Sequence, residues 1–255
     1  LRLLALVAVL AGAPLPATAQ DASAFPAKPV RFILPFPPGA AADAFARPVA
    51  PKLAEALGQP FVVENRAGAG GAIGSEFVAK SPPDGHTLLI TFATHYALPF
   101  FQKAVPYDTV RDFTPVIAAA SIHTVLAVHP SHAAKTMSDF LEIPYKGGGP
   151  MMADLLGGQI SAGLTVLSSA IPQVKSGKLR VLAIMADKRA ASAPEIPAVT
   201  ETLPGYALPD IWVGVLGPAS LPLPIATRLH AEVNRAMNLP DVREKLAGAG
   251  FELTG

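Results

Sequence analysis

Short apolar runs alternate with segments of helical length in the first hundred residues. Residues 30–36, 61–64 and 88–92 are rich in Val, Ile, Leu and Phe. Continuous apolar runs of this length are typical of strands that are buried on both faces of a sheet, and the alternation with helical segments is typical of βαβ units. The pattern therefore predicts an α/β fold with a mostly parallel sheet.

The intervening segments carry helix signals. Apolar residues recur at helical spacing over Ala41–Leu57, and Gly58 follows as a C-terminal cap. Pro48 and Pro51 lie inside this helix, where each badly placed ring costs about 3 kcal/mol, so we expect a kink or a shortened helix. A second, shorter helix is predicted over residues 72–80, before a turn that is rich in proline and glycine.

The α/β pattern restarts in the second half of the chain. Two long apolar passages, residues 114–130 and 211–217, are suited to leave one sheet and enter another. Between and after them the pattern predicts strands at 143–145, 160–166 and 179–186 and helices at 150–156, 170–176, 224–237 and 241–249. Two α/β units with two crossings predict two lobes and a cleft, which is a common place for a small-molecule site.

The first residues have the features of a signal peptide. Residues 1–19 contain Arg2, an apolar run and a small-residue end at Ala17-Thr18-Ala19, so cleavage is expected before Gln20. We therefore expect an exported, soluble protein that is periplasmic where the cell has an outer membrane. The chain has no cysteine, which excludes disulfides and thiol chemistry.

The charge of the mature chain disfavours nucleic acid as a partner. The whole sequence has 20 Lys and Arg against 19 Asp and Glu, and the predicted leader contains one of the basic residues. Proteins that bind nucleic acids or anionic membranes usually carry a basic surplus, which is absent here.

The loop after the first strand has candidate chemistry. The strand ends at Pro37-Pro38-Gly39, and the next helix begins near Ala41. The first N–H groups of a helix lack internal acceptors and lie at the positive end of its dipole, so they form a pocket for an anion. A glycine-rich turn at residues 68–71 precedes the second helix, at the sheet edge where ligands of open α/β sheets gather.

Several sequence blocks identify a family. They are PVRFILPFPPGAAADAFAR, LGQPFVVENRAGAGGAIGSEFVA, PPDGHTLLI and IPYKGGGPMMADLLGGQI, in this order. The chain resembles, over nearly all of residues 25–253, the Bug or TctC-like extracytoplasmic solute receptors of tripartite tricarboxylate transporters. The resemblance implies a type II periplasmic binding protein fold without catalysis, in which two βαβ lobes joined by two crossing strands close on a small carboxylated solute.

The same resemblance implies a ligand site. Members of the family hold the ligand carboxylate largely with backbone N–H groups and ordered water at the PPGG loop and the facing turns. The matching positions are Pro38, Gly39, Ala40 and Asp43 in the first loop, Ala69, Gly70 and Gly71 in the second, and Thr91 and Thr94 after the third strand. No cofactor or metal is implied. The partners would be the membrane subunits of the transporter, and we expect a monomer.

The chain also departs from the family pattern. Ala40 replaces the second glycine of PPGG, which would strain the loop if φ is positive there. At Leu141-Glu142 the chain lacks several tens of residues that the family has, including a loop that faces the ligand, so the second lobe should be short. We expect lobe 1 to comprise residues 25–122 and 218–255, and lobe 2 residues 123–217.

Three charged residues of the first lobe allow more than one role. Asp43 could orient its loop, accept a hydrogen bond from a ligand amine or hold a bridging water. Arg47 and Arg66 could bind a ligand carboxylate, but we favour structural pairing with Glu64 or Glu76, since most surface ion pairs are incidental.

Other motifs favour alternative functions only weakly. The glycines of the second loop follow GxGxxxG, which is not the dinucleotide-binding spacing. His129 and His132 form the only close histidine pair and have no acid at ligand spacing, so a metal site is disfavoured. No GxSxG elbow is present. The alternatives are a receptor remnant without solute affinity and, more weakly, an α/β enzyme with a nucleotide cofactor.

Overall fold

The computed structural model describes residues 24–102, 104–130, 148–158, 160, 162–205, 208 and 211–254. The predicted signal peptide, the junction at Leu141-Glu142 and the predicted strand at 143–145 lie outside the described residues. His132 lies outside them as well.

Lobe 1 is built on a sheet of six strands in the order β2-β1-β3-β8-β4-β9. The strands are β1 Val30–Leu34, β2 Phe61–Asn65, β3 Thr87–Phe92, β4 Phe113–Ile122, β8 Ile211–Pro218 and β9 Phe251–Leu253. The helices are α1 Ala41–Leu57, α2 Ala72–Ala79, α3 Thr94–Phe101, α6 Leu223–Met237 and α7 Pro240–Gly248.

Lobe 2 is built on a sheet of three described strands in the order β6-β5-β7. Its elements are β5 Thr124–Val128, α4 Gly148–Leu156, β6 Ala162–Val166, α5 Leu167–Lys175, β7 Arg180–Ile184 and a short 3-10 turn, Val199–Glu201. Within the described residues, the sheet of lobe 2 has three strands and that of lobe 1 has six.

The prediction of a mostly parallel sheet was wrong. Only β2 and β3 run parallel to their neighbour β1, whereas every other described pair of strands is antiparallel. The reason is the crossing between lobes: β4 leaves the large sheet, and β8 returns from lobe 2 in the opposite direction between β3 and β4. The βαβ pattern at the start of the chain does not reveal this return.

The position of β8 also changes the expected lobe boundary. Residues 211–217 pair within the six-stranded sheet, so we place them in lobe 1 and not in the predicted range 123–217 of lobe 2. The first crossing is short, because only His123 separates β4 from β5. This residue therefore lies at the hinge between the two sheets.

The helix α1 runs through both of its prolines. It spans 17 residues and ends at Gly58, which has φ +72° and donates its N–H to Ala54 O. The expected shortening was wrong because Phe45 and Val49, like other residues of this face, are 0% exposed. Burial of such a side chain contributes about 1.5–3 kcal/mol, which offsets the proline cost.

Both faces of the six-stranded sheet are covered. The main core lies between the sheet and the helices α1, α6 and α7, and a second core lies on the face covered by α2 and α3. We did not predict α3 or β9. The helix α3 contains a proline and ends in two exposed phenylalanines, and β9 has three residues, so neither has a clear periodic signal. In the described part of the chain, no helix is long and apolar enough to cross a membrane.

Gly214 provides a test of the close packing between β8 and β4. A Cβ atom at this position would lie 2.6 Å from the backbone oxygen of Ile117. Gly214→Ala should therefore push the two strands apart and lower the free energy of unfolding by about 1–3 kcal/mol.

The matched control is Gly248→Ala, because a Cβ atom there would meet nothing within 4 Å. This change should be neutral or raise the free energy of unfolding by about 0.5–1 kcal/mol. Urea unfolding of both variants measures the difference, and equal effects would contradict the packing argument.

Candidate functional site

The loop between β1 and α1 is shaped by one glycine. Gly39 has φ +80°, a conformation that favours glycine, whereas Ala40 is extended with φ −72° and ψ 168°. The expected strain at Ala40 therefore does not arise. The loop keeps its glycine at the position where the backbone needs it.

Asp43 holds this loop in place. Its side chain is 5% exposed, and its Oδ2 accepts the N–H of Gly39. Its Oδ1 lies 2.8 Å from Arg47 Nη2 and 3.3 Å from Asn65 Nδ2, and Asn65 Nδ2 also donates to the backbone oxygen of Phe36. Of the three roles considered for Asp43, the geometry supports orientation of the loop. Arg47 is engaged by Asp43, not by Glu64 or Glu76. The predicted site did not include Asn65.

Some of the backbone N–H groups at the first loop already have hydrogen-bond acceptors within the protein. Gly39 donates to the Asp43 carboxylate, and Ala40 donates to Pro37 O at 3.3 Å. No described residue accepts from the N–H groups of Ala41 or Ala42, the first two residues of α1. Ala41 is 5% exposed and Ala42 is covered in this arrangement of the lobes. The first two N–H groups of α1 therefore have no acceptor among the described residues, which is the usual situation at a helix N-terminus.

The second loop is a tight left-handed turn. Gly68, Ala69, Gly70 and Gly71 have φ values of +135°, +46°, +62° and +103°. The turn is closed by the N–H of Gly71, which donates to Gly68 O at 2.9 Å, and by Gln102 Nε2, which donates to Ala69 O at 2.9 Å. A left-handed alanine costs roughly 1–2 kcal/mol, so these contacts hold Ala69 in a disfavoured conformation.

The two loops touch each other through Pro35, the residue after β1. A Cβ atom on Gly71 would lie 3.4 Å from Pro35 Cβ, and one on Gly74 would lie 3.0 Å from Pro35 Cα. The structure thus brings together the first and second loops at the carboxyl edge of β1 and β2. Of the two threonines, Thr94 is exposed at the start of α3, whereas Thr91 is 1% exposed within the sheet and has little free surface.

A buried histidine connects α2 and α3, the two helices that follow the second loop in the chain. His95 is 4% exposed; its Nδ1 lies 3.4 Å from Ser75 Oγ and its Nε2 lies 3.2 Å from Thr109 O. Burial lowers the pKa of His95 to about 4. A neutral ring can donate from Nε2 and accept the Ser75 hydroxyl at Nδ1, which links α2 to α3. No sequence signal marked His95 for this role.

Arg66 has a structural partner, as we favoured. Its Nη2 lies 3.5 Å from Glu64 Oε2, and its guanidinium lies over the ring of Phe77 at 3.8 Å. Arg31 makes a bidentate contact with Glu64 at 2.6 and 2.7 Å, and this hydrogen bonding lowers the pKa of Glu64. Arg31, Arg66 and Phe77 line an open groove of about 550 Å³ beside α2.

Lobe 2 places the start of α5 beside lobe 1. Val166, the last residue of β6, packs against the main core of lobe 1. Leu167 donates its N–H to His123 O at 2.9 Å, and the Oγ of Ser168 is buried without a hydrogen-bond partner in the described part of the chain. The first turn of α5 therefore lies against lobe 1 and the connection at His123.

The described residues contain no group of three or more His, Cys, Asp or Glu side chains that could hold a metal ion. Trp212 of β8 packs near Tyr96 of α3, with ring centroids 5.7 Å apart.

Two lobes on two sheets, with helix starts at the edge between them, define a periplasmic-binding-protein type of solute receptor. The family model described as tripartite tricarboxylate transporter family receptor, TctC, matches residues 45–142 and 139–254. The chain belongs to this family. BugT of Bordetella pertussis is 31% identical over 293 aligned residues, which cover 98% of this chain and 88% of the relative.

Solved structures agree with this assignment. MatC from Rhodopseudomonas palustris with bound malate is 29% identical, with a TM-score of 0.81 over 90% of this chain and 91% of that chain. The R. palustris protein Rpa4515 with adipate is 28% identical, with a TM-score of 0.82 over 91% of this chain and 90% of that chain. The fold and the recognised family are thereby confirmed.

Removal of the Asp43 carboxylate should loosen the first loop. Asp43→Ala leaves the Gly39 N–H without its acceptor and the Asn65 amide with only Phe36 O, so the free energy of unfolding should fall by about 1–3 kcal/mol in urea titrations. Asp241→Ala removes an exposed partner of Lys52 and should change it by less than about 1 kcal/mol. Similar losses in the two variants would show that Asp43 is an ordinary surface charge.

The buried His95 should make stability depend on pH. The unfolded chain binds the proton near the ordinary pKa of 6.5, but the folded protein binds it only near pH 4. The folded state is therefore penalised as pH falls from 6.5 to about 4, by about 1–3 kcal/mol. Urea unfolding between pH 7 and pH 4 should show a steeper loss for the wild type than for His95→Gln, and parallel curves would refute this origin.

Proposed function

We propose that this protein is an exported receptor that captures a small dicarboxylate between its lobes and presents it to the membrane subunits of a tripartite tricarboxylate transporter. The observation that carries the proposal is the N–H of Ala41, which lies at the start of α1 without an acceptor in the described chain. A carboxylate oxygen supplies that acceptor and is favoured by the helix dipole.

The charged side chains of the two loops already have partners, which supports recognition of the ligand by backbone groups. Asp43 is bound to its own loop, and Arg47 and Arg66 are paired with acids, so no described charged side chain of the two loops is left for the ligand. This arrangement supports a site that reads a carboxylate through backbone donors, with Gly39, Ala40 and the second loop shaping it. The malate and adipate bound to similar receptors support a dicarboxylate as the ligand class.

The second carboxylate would be held from lobe 2. The Leu167 N–H is used by His123 O, but the first turn of α5 has further N–H groups, together with the Ser168 hydroxyl, which has no partner among the described residues. Lobe closure around the ligand would exclude water and strengthen each polar contact. A solute that binds this closed form preferentially shifts the population toward it. The predicted leader and the extracytoplasmic location of this family support a periplasmic place of action.

A receptor remnant without solute affinity is the second candidate. The family model matches the chain in two segments that meet at residues 139–142, beside the junction at which we expect missing residues. The alignment to BugT extends over 293 positions, more than the 255 residues of this chain, which supports an internal gap. The missing residues would include part of the lobe 2 wall, and measurement of binding separates the two candidates.

Ala41→Pro tests the backbone donor directly. Proline suits the first position of a helix, and Ala40 already has the extended conformation that a following proline requires. The variant should stay folded but lose one ligand donor, so its affinity for malate, adipate or another stabilising dicarboxylate should fall by about tenfold or more, roughly 1.4 kcal/mol. Calorimetric titration measures the loss.

The matched control is Pro240→Ala, which restores an N–H at the first residue of α7, outside the site. In the wild type, a dicarboxylate at 100 times its Kd should stabilise the fold by about 2.7 kcal/mol and raise Tm. If no acid of a broad panel raises Tm of the folded protein, the remnant is favoured. If binding occurs but Ala41→Pro keeps full affinity, the donor assignment is wrong.

A further inference from the structure

The last strand of the chain touches both lobes. In lobe 1, β9 pairs with β4 so that Glu252 lies opposite Ser121. The neighbouring Phe251 is 2% exposed and packs against Phe45 of α1, with ring centroids 6.0 Å apart. The strand is therefore fixed to lobe 1 by both its backbone and its core side chain.

The side chain of Glu252 points to the other lobe. Its Oε1 accepts the N–H of Ala191 at 2.7 Å, and Ala191 lies in the segment that follows β7 of lobe 2. The same oxygen lies 3.2 Å from Nε2 of His123, the residue between β4 and β5. One carboxylate oxygen thus contacts lobe 2 and the hinge from a strand of lobe 1.

Neighbouring contacts also join lobe 1, lobe 2 and the connection at His123. His123 accepts the N–H of Leu167 through its backbone oxygen, which fixes the start of α5 to the hinge. Gly250, just before β9, lies against α5 so closely that a Cβ atom there would be 3.1 Å from Leu167 Cγ. Glu252 therefore acts where lobe 1, lobe 2 and their connection meet.

We infer that Glu252 is a positioning residue that sets the arrangement of the two lobes, because from strand β9 it accepts the Ala191 N–H and lies beside the His123 ring. Only His123 separates β4 from β5, and one residue of backbone does not by itself prevent the two sheets from rotating relative to each other. A carboxylate that accepts an N–H from the other lobe restricts that rotation, since it is satisfied in one arrangement. This role does not depend on the solute and goes beyond the proposed function.

The absence of cysteine allows a direct measurement. Cysteines introduced at the exposed residues Ala56 in lobe 1 and Lys178 in lobe 2 can carry a pair of spin labels, and electron paramagnetic resonance reports the distance between them. In the ligand-free full chain, we expect a narrow distribution for the wild-type background. Glu252→Ala should broaden or displace it, whereas Glu252→Gln, which keeps an acceptor for the N–H, should stay nearer to the wild type.

Two further variants complete the test. Ala191→Pro removes the N–H on the lobe 2 side and should also broaden the distribution while β9 is unchanged, so it decides the question if Glu252→Ala does not fold. Glu244→Ala removes an exposed carboxylate of α7 and should leave the distribution unchanged. The inference is overturned if folded Glu252→Ala and Ala191→Pro both keep the wild-type distribution, or if Glu244→Ala alters it to the same extent.

Discussion

The candidate site depends on the carboxylate of Asp43. It lies buried at the start of α1 and accepts hydrogen bonds from Gly39 and Asn65 while it pairs with Arg47. These contacts fix the loop before the helix, and the loop in turn decides which backbone N–H groups remain for a ligand. A carboxylate placed beside an anion site would repel a carboxylate ligand if it were free, but here its acceptors are used by the protein. Asp43 is thus compatible with the proposed anion site, because Arg47 balances its charge and its oxygens bind its own loop.

The second loop lies at the same edge of the sheet but is held there by different contacts. Its left-handed turn packs on Pro35, is held by Gln102 and is followed by α2, which the neutral His95 links to α3. The two loops are therefore positioned by side-chain contacts within lobe 1. This is the expected construction for a receptor that recognises its ligand through backbone groups, because rigid loops keep the donors oriented before the ligand arrives.

Whether the proposed receptor can bind a solute depends on lobe 2. Its described sheet has three strands, and α5 begins beside lobe 1, where Ser168 has an unused hydroxyl. A two-lobed receptor gains affinity when both lobes contact the solute, since closure is favoured only by differential binding to the closed form. The contacts of α5 and Glu252 around His123 show that lobe 2 is joined to lobe 1 by more than the connecting backbone. The short lobe thus has a defined place against its partner.

The sequence by itself determined the local features. Apolar runs located β1, β2 and β3, helical spacing and Gly58 gave α1 with its observed bounds, and the ordered sequence blocks identified the family. Tertiary structure decided what depends on contacts between distant residues. The antiparallel return of β8, the role of Asn65 at Asp43, the pairing of Ser75 with His95 and the reach of Glu252 to Ala191 all join segments far apart in the chain. Periodicity reports which face of one element is buried, but it carries no information on which side chain of another element will meet it.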